Sequence, residues 1–216
     1  PSGEHGAKVT ARHVLSHSTG FVNWRQGTDE KLTSAFEPGT RFQYSGEGFY
    51  TLQRCVEKIT GMGLEAYLQE RVLKPLGMTS TTYLWRSDAE TRIVPGHNSQ
   101  RQPIKHFWNF NKRLSEQISK SSVPIAQWDH ERIVKAMTTG TDVPMPNGIA
   151  PNVAFSLLTT VPDYTRLAAR LAGPVGDSLD LKPATRALMT RSVSHINGAL
   201  SWGLGVGIEK QGSQQY

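Results

Sequence analysis

From Ser45 to Gly61 the apolar positions recur every three or four residues, which is the spacing of an amphipathic helix. A second apolar run from Leu64 to Val72 stops at Pro75, because proline removes a backbone donor and clashes with the preceding turn. The pattern therefore predicts a helical hairpin. The predicted core face of its first helix consists of Phe49, Leu52, Val56 and Ile59.

Helix start signals predict further elements. Thr10 is a suitable N-cap for a short helix that ends at Ser16, and Thr160 is a suitable cap for a helix with Pro162 and Asp163 in its first turn. We also predict helices at about 129–137 and 183–190. One strand is predicted where small and large residues alternate, from Trp202 to Ile208.

Periodicity fades from 85 to 150, where Pro, Asn, Ser and Gly are frequent. Unstructured connections of this length are uncommon in compact domains unless they have a function. Apart from the helix at about 129–137, we therefore expect a loop-rich insertion or lid within a single domain.

The chain has 24 Lys and Arg against 18 Asp and Glu, and this basic balance raises the question of nucleic acid binding. The densest basic segment, Asn98 to Trp128, interleaves cations with aromatic residues but matches no nucleic-acid-binding fold. We interpret it as an irregular, solvated surface and expect no nucleic acid partner. Its relevant residues are Arg101, Lys105, Phe107, Trp108, Phe110, Lys112, Arg113 and Lys120.

Several site types are excluded. Cys55 is the single cysteine, so it cannot form an internal disulfide, and its place in an apolar run predicts a buried, inert thiol. His13 and His17 lie four apart but lack the glutamate of a zinc-protease motif, so we expect no metal site. No apolar stretch approaches the roughly 18 residues that a membrane span needs. The oligomeric state is not predicted.

Three segments resemble the serine β-lactamase and penicillin-binding protein family, in its class C and esterase-like branch. Thr10 to Phe21 resembles the family's T-x-R-H-L-L-S-H-T-S-G-L segment, and Phe36 to Ser45 resembles F-x-P-G-x-x-F-x-Y-S. Leu64 to Met78 is similar to the helix that follows, and a weaker likeness covers Pro151 to Ile208. The order and spacing of the segments also match.

The resemblance implies a mixed α+β fold of the β-lactamase/transpeptidase type. Residues 1–216 would form one incomplete domain, consisting mainly of the helical region with one or two strands of the sheet. It also implies a small-molecule acyl substrate, no metal or organic cofactor, and a periplasmic or secreted location.

In this family the serine of a Ser-x-x-Lys motif attacks an acyl carbonyl, while the lysine and a tyrosine transfer protons. Tyr44 falls on that tyrosine. Gly46 stands where many members carry an asparagine that binds substrate, and this departure favours ester or peptide substrates over β-lactams. The resemblance implies a substrate-binding set of Gly46, Ser45, Trp24, Arg25 and His17, although we expect His17 chiefly to brace its turn.

No Ser-x-x-Lys occurs in the chain, and no Lys-Ser/Thr-Gly or His-x-Gly follows Trp202. The nearest look-alikes are Cys55 to Lys58 and Thr28 to Lys31. Because the family places both missing motifs outside the matched segments, we expect a middle fragment of a serine hydrolase that is inactive by itself. The alternative is a non-catalytic family member that acts as a binding module.

Overall fold

The computed structural model describes residues 1–104, 107–172, 181–212 and 214–215, with the side chains of 107–110 and 214–215 left out. The chain is mainly helical, as the sequence predicts. The α-helices of the described residues are α1 (Ala11–Leu15), α2 (Gly46–Thr60), α3 (Leu64–Leu68), α4 (Phe107–Lys120), α5 (His130–Met137), α6 (Val161–Ala172) and α7 (Pro183–Met189). A π-helical turn, Gln69–Leu73, continues α3.

Four short strands form one antiparallel sheet in sequential order: β1 (Ser194–His195), β2 (Leu200–Trp202), β3 (Gly207–Gln211) and β4 (Gln214–Gln215). The prediction of a single strand from Trp202 to Ile208 is wrong. Gly205 has a φ of 86°, so the chain turns there and Trp202 pairs with Gly207. Alternating glycines here allow a tight turn rather than a continuous strand.

The chain divides into two compact units. The first consists of Pro1–Leu52, Met145–Asn147 and Ala168–Tyr216, and it contains α1, α7 and the sheet. The second consists of Gln53–Pro144 and Gly148–Leu167, and it contains α3, α4 and α5. Of the four places where the chain passes from one unit to the other, 52/53 lies inside α2 and 167/168 lies inside α6.

The predicted helix starts are confirmed by their caps. The Thr10 hydroxyl accepts a hydrogen bond from the His13 amide while the Thr10 amide donates to His13 Nδ1, a capping box. Asp129 caps α5 through the Arg132 amide, at 3.0 Å. These side chains satisfy amide groups that a helix leaves without partners in its first turn.

The predicted core face of α2 is wrong. Phe49, Leu52 and Val56 are only half-buried, and Ile59 is 84% exposed. Cys55 also lies on the exposed side, so its predicted burial is wrong. The buried positions of the helix are instead mostly polar: Glu47, Tyr50, Gln53 and Glu57.

The polar side chain of Glu57 can occupy the interior of the second unit because its carboxylate is well supplied with hydrogen-bond donors. Its carboxylate accepts hydrogen bonds from Gln53 Nε2 at 3.0 Å and from the amides of Leu64 at 3.1 Å and His130 at 2.9 Å. Burial raises the pKa of Glu57, and these donors act in the opposite direction. The carboxylate thereby joins α2 to the starts of α3 and α5.

Two more buried carboxylates organise the second unit in the same way. Glu65 accepts the Thr82 hydroxyl and the Tyr83 amide, both at 2.7 Å. Asp163, in the first turn of α6, accepts the Ser80 amide at 2.8 Å and the Thr81 hydroxyl at 2.9 Å. In the segment after α3, backbone amides therefore donate to side-chain carboxylates, because no long strand is present there to accept their hydrogen bonds.

Helix α4 lies where the sequence analysis expected an irregular surface. Leu114 and Ile118 are buried on one face, and Lys112 on the other forms an exposed ion pair with Glu90. The interpretation of this segment as irregular is wrong for 107–120. Lys105 and the side chains of Phe107, Trp108 and Phe110 lie outside the described part, and the role of 85–150 as a lid stays a prediction.

Within the described ranges, none of the helices has the length and apolar character needed to cross a bilayer. The same residues contain no cluster of three or more His, Cys, Asp or Glu side chains suited to holding a metal ion.

The backbone of Gly63 packs directly against the turn that precedes α5, and a substitution at this position tests that contact. A Cβ at this position would collide with the main-chain carbonyl of Trp128, and the Gly63 amide donates to the Ala126 carbonyl at 2.7 Å. We expect Gly63→Ala to lower the free energy of unfolding by about 2 kcal/mol, because backbone must shift to admit the methyl group. Gly96→Ala, whose Cβ meets nothing within 4 Å, is the matched control in urea unfolding. Equal stability of the two variants would contradict the packing described.

Candidate active site

His17 lies at the turn after α1 and is almost fully buried, with 3% of its surface exposed. Its φ of 51° places it in the left-handed region, which few residues other than glycine adopt. Its main-chain carbonyl accepts the Gln43 amide at 2.7 Å, and its Nδ1 accepts the Ser45 amide at 3.1 Å. Burial lowers the pKa of His17 to about 4, so the ring is neutral at physiological pH, as an accepting Nδ1 requires.

The same imidazole forms the centre of an aromatic cluster. Its ring centroid lies 4.3 Å from that of Tyr44, 4.7 Å from Trp202 on β2 and 4.9 Å from Phe49 on α2. Phe42 completes the cluster at 5.7 Å. The structure thus brings His17 and Tyr44 together, and this geometry suits the bracing role expected for His17.

Tyr44 immediately precedes Ser45 and the start of α2, and it is 49% exposed. One side of its ring packs against His17, at an interplanar angle of 30°. A phenol held in this way has a fixed position and remains accessible to a ligand. Accessibility together with a rigid support is what a proton-transfer group requires.

Ser45 is turned toward the protein rather than toward a ligand. Its hydroxyl donates to the Val22 carbonyl at 2.8 Å and accepts the Gly48 amide at 3.0 Å. The second of these contacts is that of an N-cap side chain, here for α2. Both hydrogen-bonding roles of this hydroxyl are therefore used within the protein.

The loop from Val22 to Arg25 is fixed to the start of α2. Asn23 accepts the Gly46 amide through its side chain at 2.8 Å and the Glu47 amide through its main chain at 2.9 Å. The Arg25 amide donates to the Glu47 carboxylate at 2.8 Å, and the Arg25 guanidinium pairs with the same carboxylate. The loop and the first turn of the helix form one hydrogen-bonded unit.

Arg25 is consequently occupied by protein groups. Its Nε bonds to Glu47, which is 1% exposed, and its Nη1 donates to the Glu30 carbonyl at 2.6 Å. A buried carboxylate needs such a partner, because an unpaired charge in the interior is very unfavourable. The predicted contact of Arg25 with substrate would have to compete with this ion pair.

Gly46 has no room for a side chain. A Cβ at this position would collide with the six-membered ring of Trp24 and would lie 3.2 Å from Asn23 Oδ1. The structure therefore brings together Gly46 and Trp24, two residues of the predicted substrate-binding set. Trp24 fills the space that a side chain at position 46 would take.

The sequence analysis missed Glu47 and Asn23, which hold the loop in place. No local pattern pairs residues 22 or 23 positions apart. The one available signal is a glutamate in the first turn of a helix, where the dipole favours negative charge. That preference is equally well met by an exposed glutamate, so it does not indicate burial.

A family model described as Beta-lactamase matches residues 1–216. Lovastatin esterase of Penicillium rubens is 37% identical over a 110-residue alignment, with a coverage of 40% of this chain and 27% of that protein. Penicillin-binding protein 4* of Bacillus subtilis is 29% identical over a 105-residue alignment, with a coverage of 39% of this chain and 23% of that protein.

Solved structures show the same fold. Beta-lactamase/D-alanine carboxypeptidase from Pseudomonas syringae has a TM-score of 0.61 at 15% identity, over 96% of this chain and 50% of that one. D-amino acid amidase from Ochrobactrum anthropi has a TM-score of 0.61 at 16% identity, over 100% of this chain and 57% of that one. The chain thus spans about half the length of these structures, and the predicted fold class is confirmed.

The neutral state of His17 predicts a pH-dependent stability. The pKa of His17 is about 4 in the folded chain and near 6.5 in the unfolded chain. The contribution of the neutral ring to stability is therefore complete above pH 6.5 and is lost as the pH falls through 4. Asparagine tolerates positive φ, so His17→Asn keeps the backbone conformation. Between pH 6.5 and pH 4 we expect the free energy of unfolding to fall by about 3 kcal/mol less in this variant than in the unsubstituted chain. His130, whose pKa burial also lowers to about 4, stays in both proteins, so the difference isolates His17.

The measurement is urea unfolding of both proteins from pH 7 to pH 4. An identical pH dependence for the two would show that His17 is not held neutral by the fold.

The Arg25–Glu47 pair predicts a large effect of a single substitution. Arg25→Gln leaves the Glu47 carboxylate buried without its cation, and we expect the free energy of unfolding to fall by about 3 kcal/mol. Lys8→Gln, which removes an exposed pair with Glu37, is the control and should change thermal unfolding little. Equal effects of the two variants would show that the buried pair does not hold the loop.

Proposed function

The chain belongs to the beta-lactamase family, and on this premise we propose that the whole protein is a serine hydrolase that transfers an acyl group to water. The substrate is an ester, an amide or a β-lactam, and the reaction passes through an acyl-enzyme. No cofactor takes part. We place the reaction in the periplasm or outside the cell, as the family resemblance implies.

One observation carries the role of Tyr44: its half-exposed phenol is held against His17 directly before α2. The sequence resemblance aligns this residue with the family's catalytic tyrosine. In the proposed reaction the serine hydroxyl adds to the substrate carbonyl, and its proton passes through the oxygen of Tyr44 to the neutral amine of the partner lysine. The same groups return the proton to the leaving oxygen or nitrogen as the carbon–heteroatom bond breaks. Water then repeats the addition at the acyl-enzyme and releases the acid.

These 216 residues contain no Ser-x-x-Lys, so the proposal assigns the nucleophile to a segment of the whole protein beyond them. Cys55, which stands where the serine would be in the nearest look-alike, is an exposed residue in the middle of α2. We do not assign it a catalytic role.

Among the three substrate classes we favour esters. The closed space at Gly46 supports this choice, because no side-chain amide can bind the substrate there. Two of the curated relatives are named as esterases, lovastatin esterase and Esterase EstB of Burkholderia gladioli. The alternative, a binding module without catalysis, is favoured by the lack of a Ser-x-x-Lys in these residues.

Mass spectrometry of the intact protein separates these alternatives. After incubation with a fluorescent penicillin or an activated ester, we expect no adduct on the 216-residue chain and one acyl group on the whole protein. An adduct on the short chain would contradict the assignment of the nucleophile. A whole protein that binds the probes without forming an adduct would establish the binding module instead.

Tyr44→Phe in the whole protein tests the proton-transfer role. We expect kcat to fall about 100-fold, the lower end of what general acid–base groups contribute, with little change in thermal stability. Tyr164→Phe, at an exposed tyrosine on α6 that is 53% accessible, is the matched control. An unchanged kcat in Tyr44→Phe would remove Tyr44 from the mechanism.

A further inference from the structure

The start of α2 offers a ligand few hydrogen-bonding groups. The Ser45 hydroxyl is bonded to Val22 and Gly48, and the amides of Gly46 and Glu47 are bonded to Asn23. The Glu47 carboxylate is bonded to Arg25 and is buried. The polar groups of the three residues after Tyr44 that face the loop are thus already paired within the protein.

The aromatic ring of Trp24 takes the place of a side chain at Gly46. A Cβ built on Gly46 would lie 2.8 Å from Trp24 Cε2, well inside van der Waals contact, so the ring lies directly against the glycine backbone. The residues on either side of Trp24 are fixed, Asn23 by the amides of Gly46 and Glu47 and Arg25 by the Glu47 carboxylate. The ring is therefore carried on a rigid backbone and is partly exposed.

This arrangement distinguishes apolar from polar ligand groups. An apolar chain gains free energy by covering aromatic surface, because that surface is removed from water. An amide placed against the same ring loses hydrogen bonds to water, and the paired groups of Ser45, Gly46 and Glu47 do not replace them. In the proposed function, the phenol of Tyr44, two residues before Gly46, supplies the polar contact for the reacting bond.

We propose that Trp24 is a specificity-determining residue, which selects esters whose acyl group is apolar over esters whose acyl group carries an amide. This inference rests on the proposed function. Its structural basis is the pair of Gly46 and Trp24, which gives the site an aromatic wall in place of a hydrogen-bonding side chain.

The test compares two activated esters of similar length, 4-nitrophenyl hexanoate and 4-nitrophenyl N-acetylglycinate, in the whole protein. We expect kcat/KM to favour the hexanoate, and we expect Trp24→Ala to reduce that preference about tenfold, through a loss on the hexanoate alone. Trp24→Phe, which keeps an aromatic ring, should retain most of the preference. Tyr164→Ala, at a surface aromatic of the second unit, should leave it unchanged.

Comparison of the ratio cancels the different intrinsic reactivities of the two esters. An unchanged ratio in Trp24→Ala, or equal losses on both esters, would overturn the proposal. If the wild-type protein hydrolyses neither ester, the proposed function has failed. In that case the proposed role of Trp24 is tested by NMR titration of the 216-residue chain with hexanoate and with N-acetylglycine. Tighter binding of hexanoate that is lost in Trp24→Ala would support the role. Equal binding of the two compounds would reject it.

Discussion

The hydrogen bond from the Ser45 amide to the neutral ring of His17 is the contact on which the site depends. It joins the turn after α1 to the start of α2, and its acceptor is the ring against which Tyr44 packs. A protonated imidazole would present a second donor to the Ser45 amide, so the contact exists only while the ring is uncharged. The low pKa of His17, caused by burial, and the placement of Tyr44 are therefore two results of one packing arrangement.

Buried carboxylates have an equivalent role elsewhere in the chain. Glu47 fixes the Val22 to Arg25 loop through a main-chain amide and a guanidinium, while Glu57, Glu65 and Asp163 bind main-chain amides in the second unit. Each carboxylate accepts hydrogen bonds from main-chain amides of segments in which few strands are present to accept them. Long connections can thus be ordered by side-chain acceptors, at the expense of several polar groups in the interior.

The sequence determined some of these features and not others, for definite reasons. The bounds of α2 and the start of α6 followed from periodicity and caps, because both depend on neighbouring residues. The buried face of α2 could not be predicted, since Gln53 and Glu57 find partners at Pro151, Val153 and His130, far along the chain. The family resemblance located Tyr44, but the pairing of Arg25 with Glu47 and the closeness of Trp24 to Gly46 required the three-dimensional structure.

The contact between Gly46 and Trp24 also restricts how this chain can change during evolution. A mutation that adds any side chain at position 46 meets the indole ring, so it is unfavourable while the tryptophan remains. Replacement of the tryptophan by a smaller residue leaves glycine in place and opens the space. Of the two mutational orders that lead to a larger residue at position 46, the one that begins at position 24 avoids a collision with the indole ring in its present place.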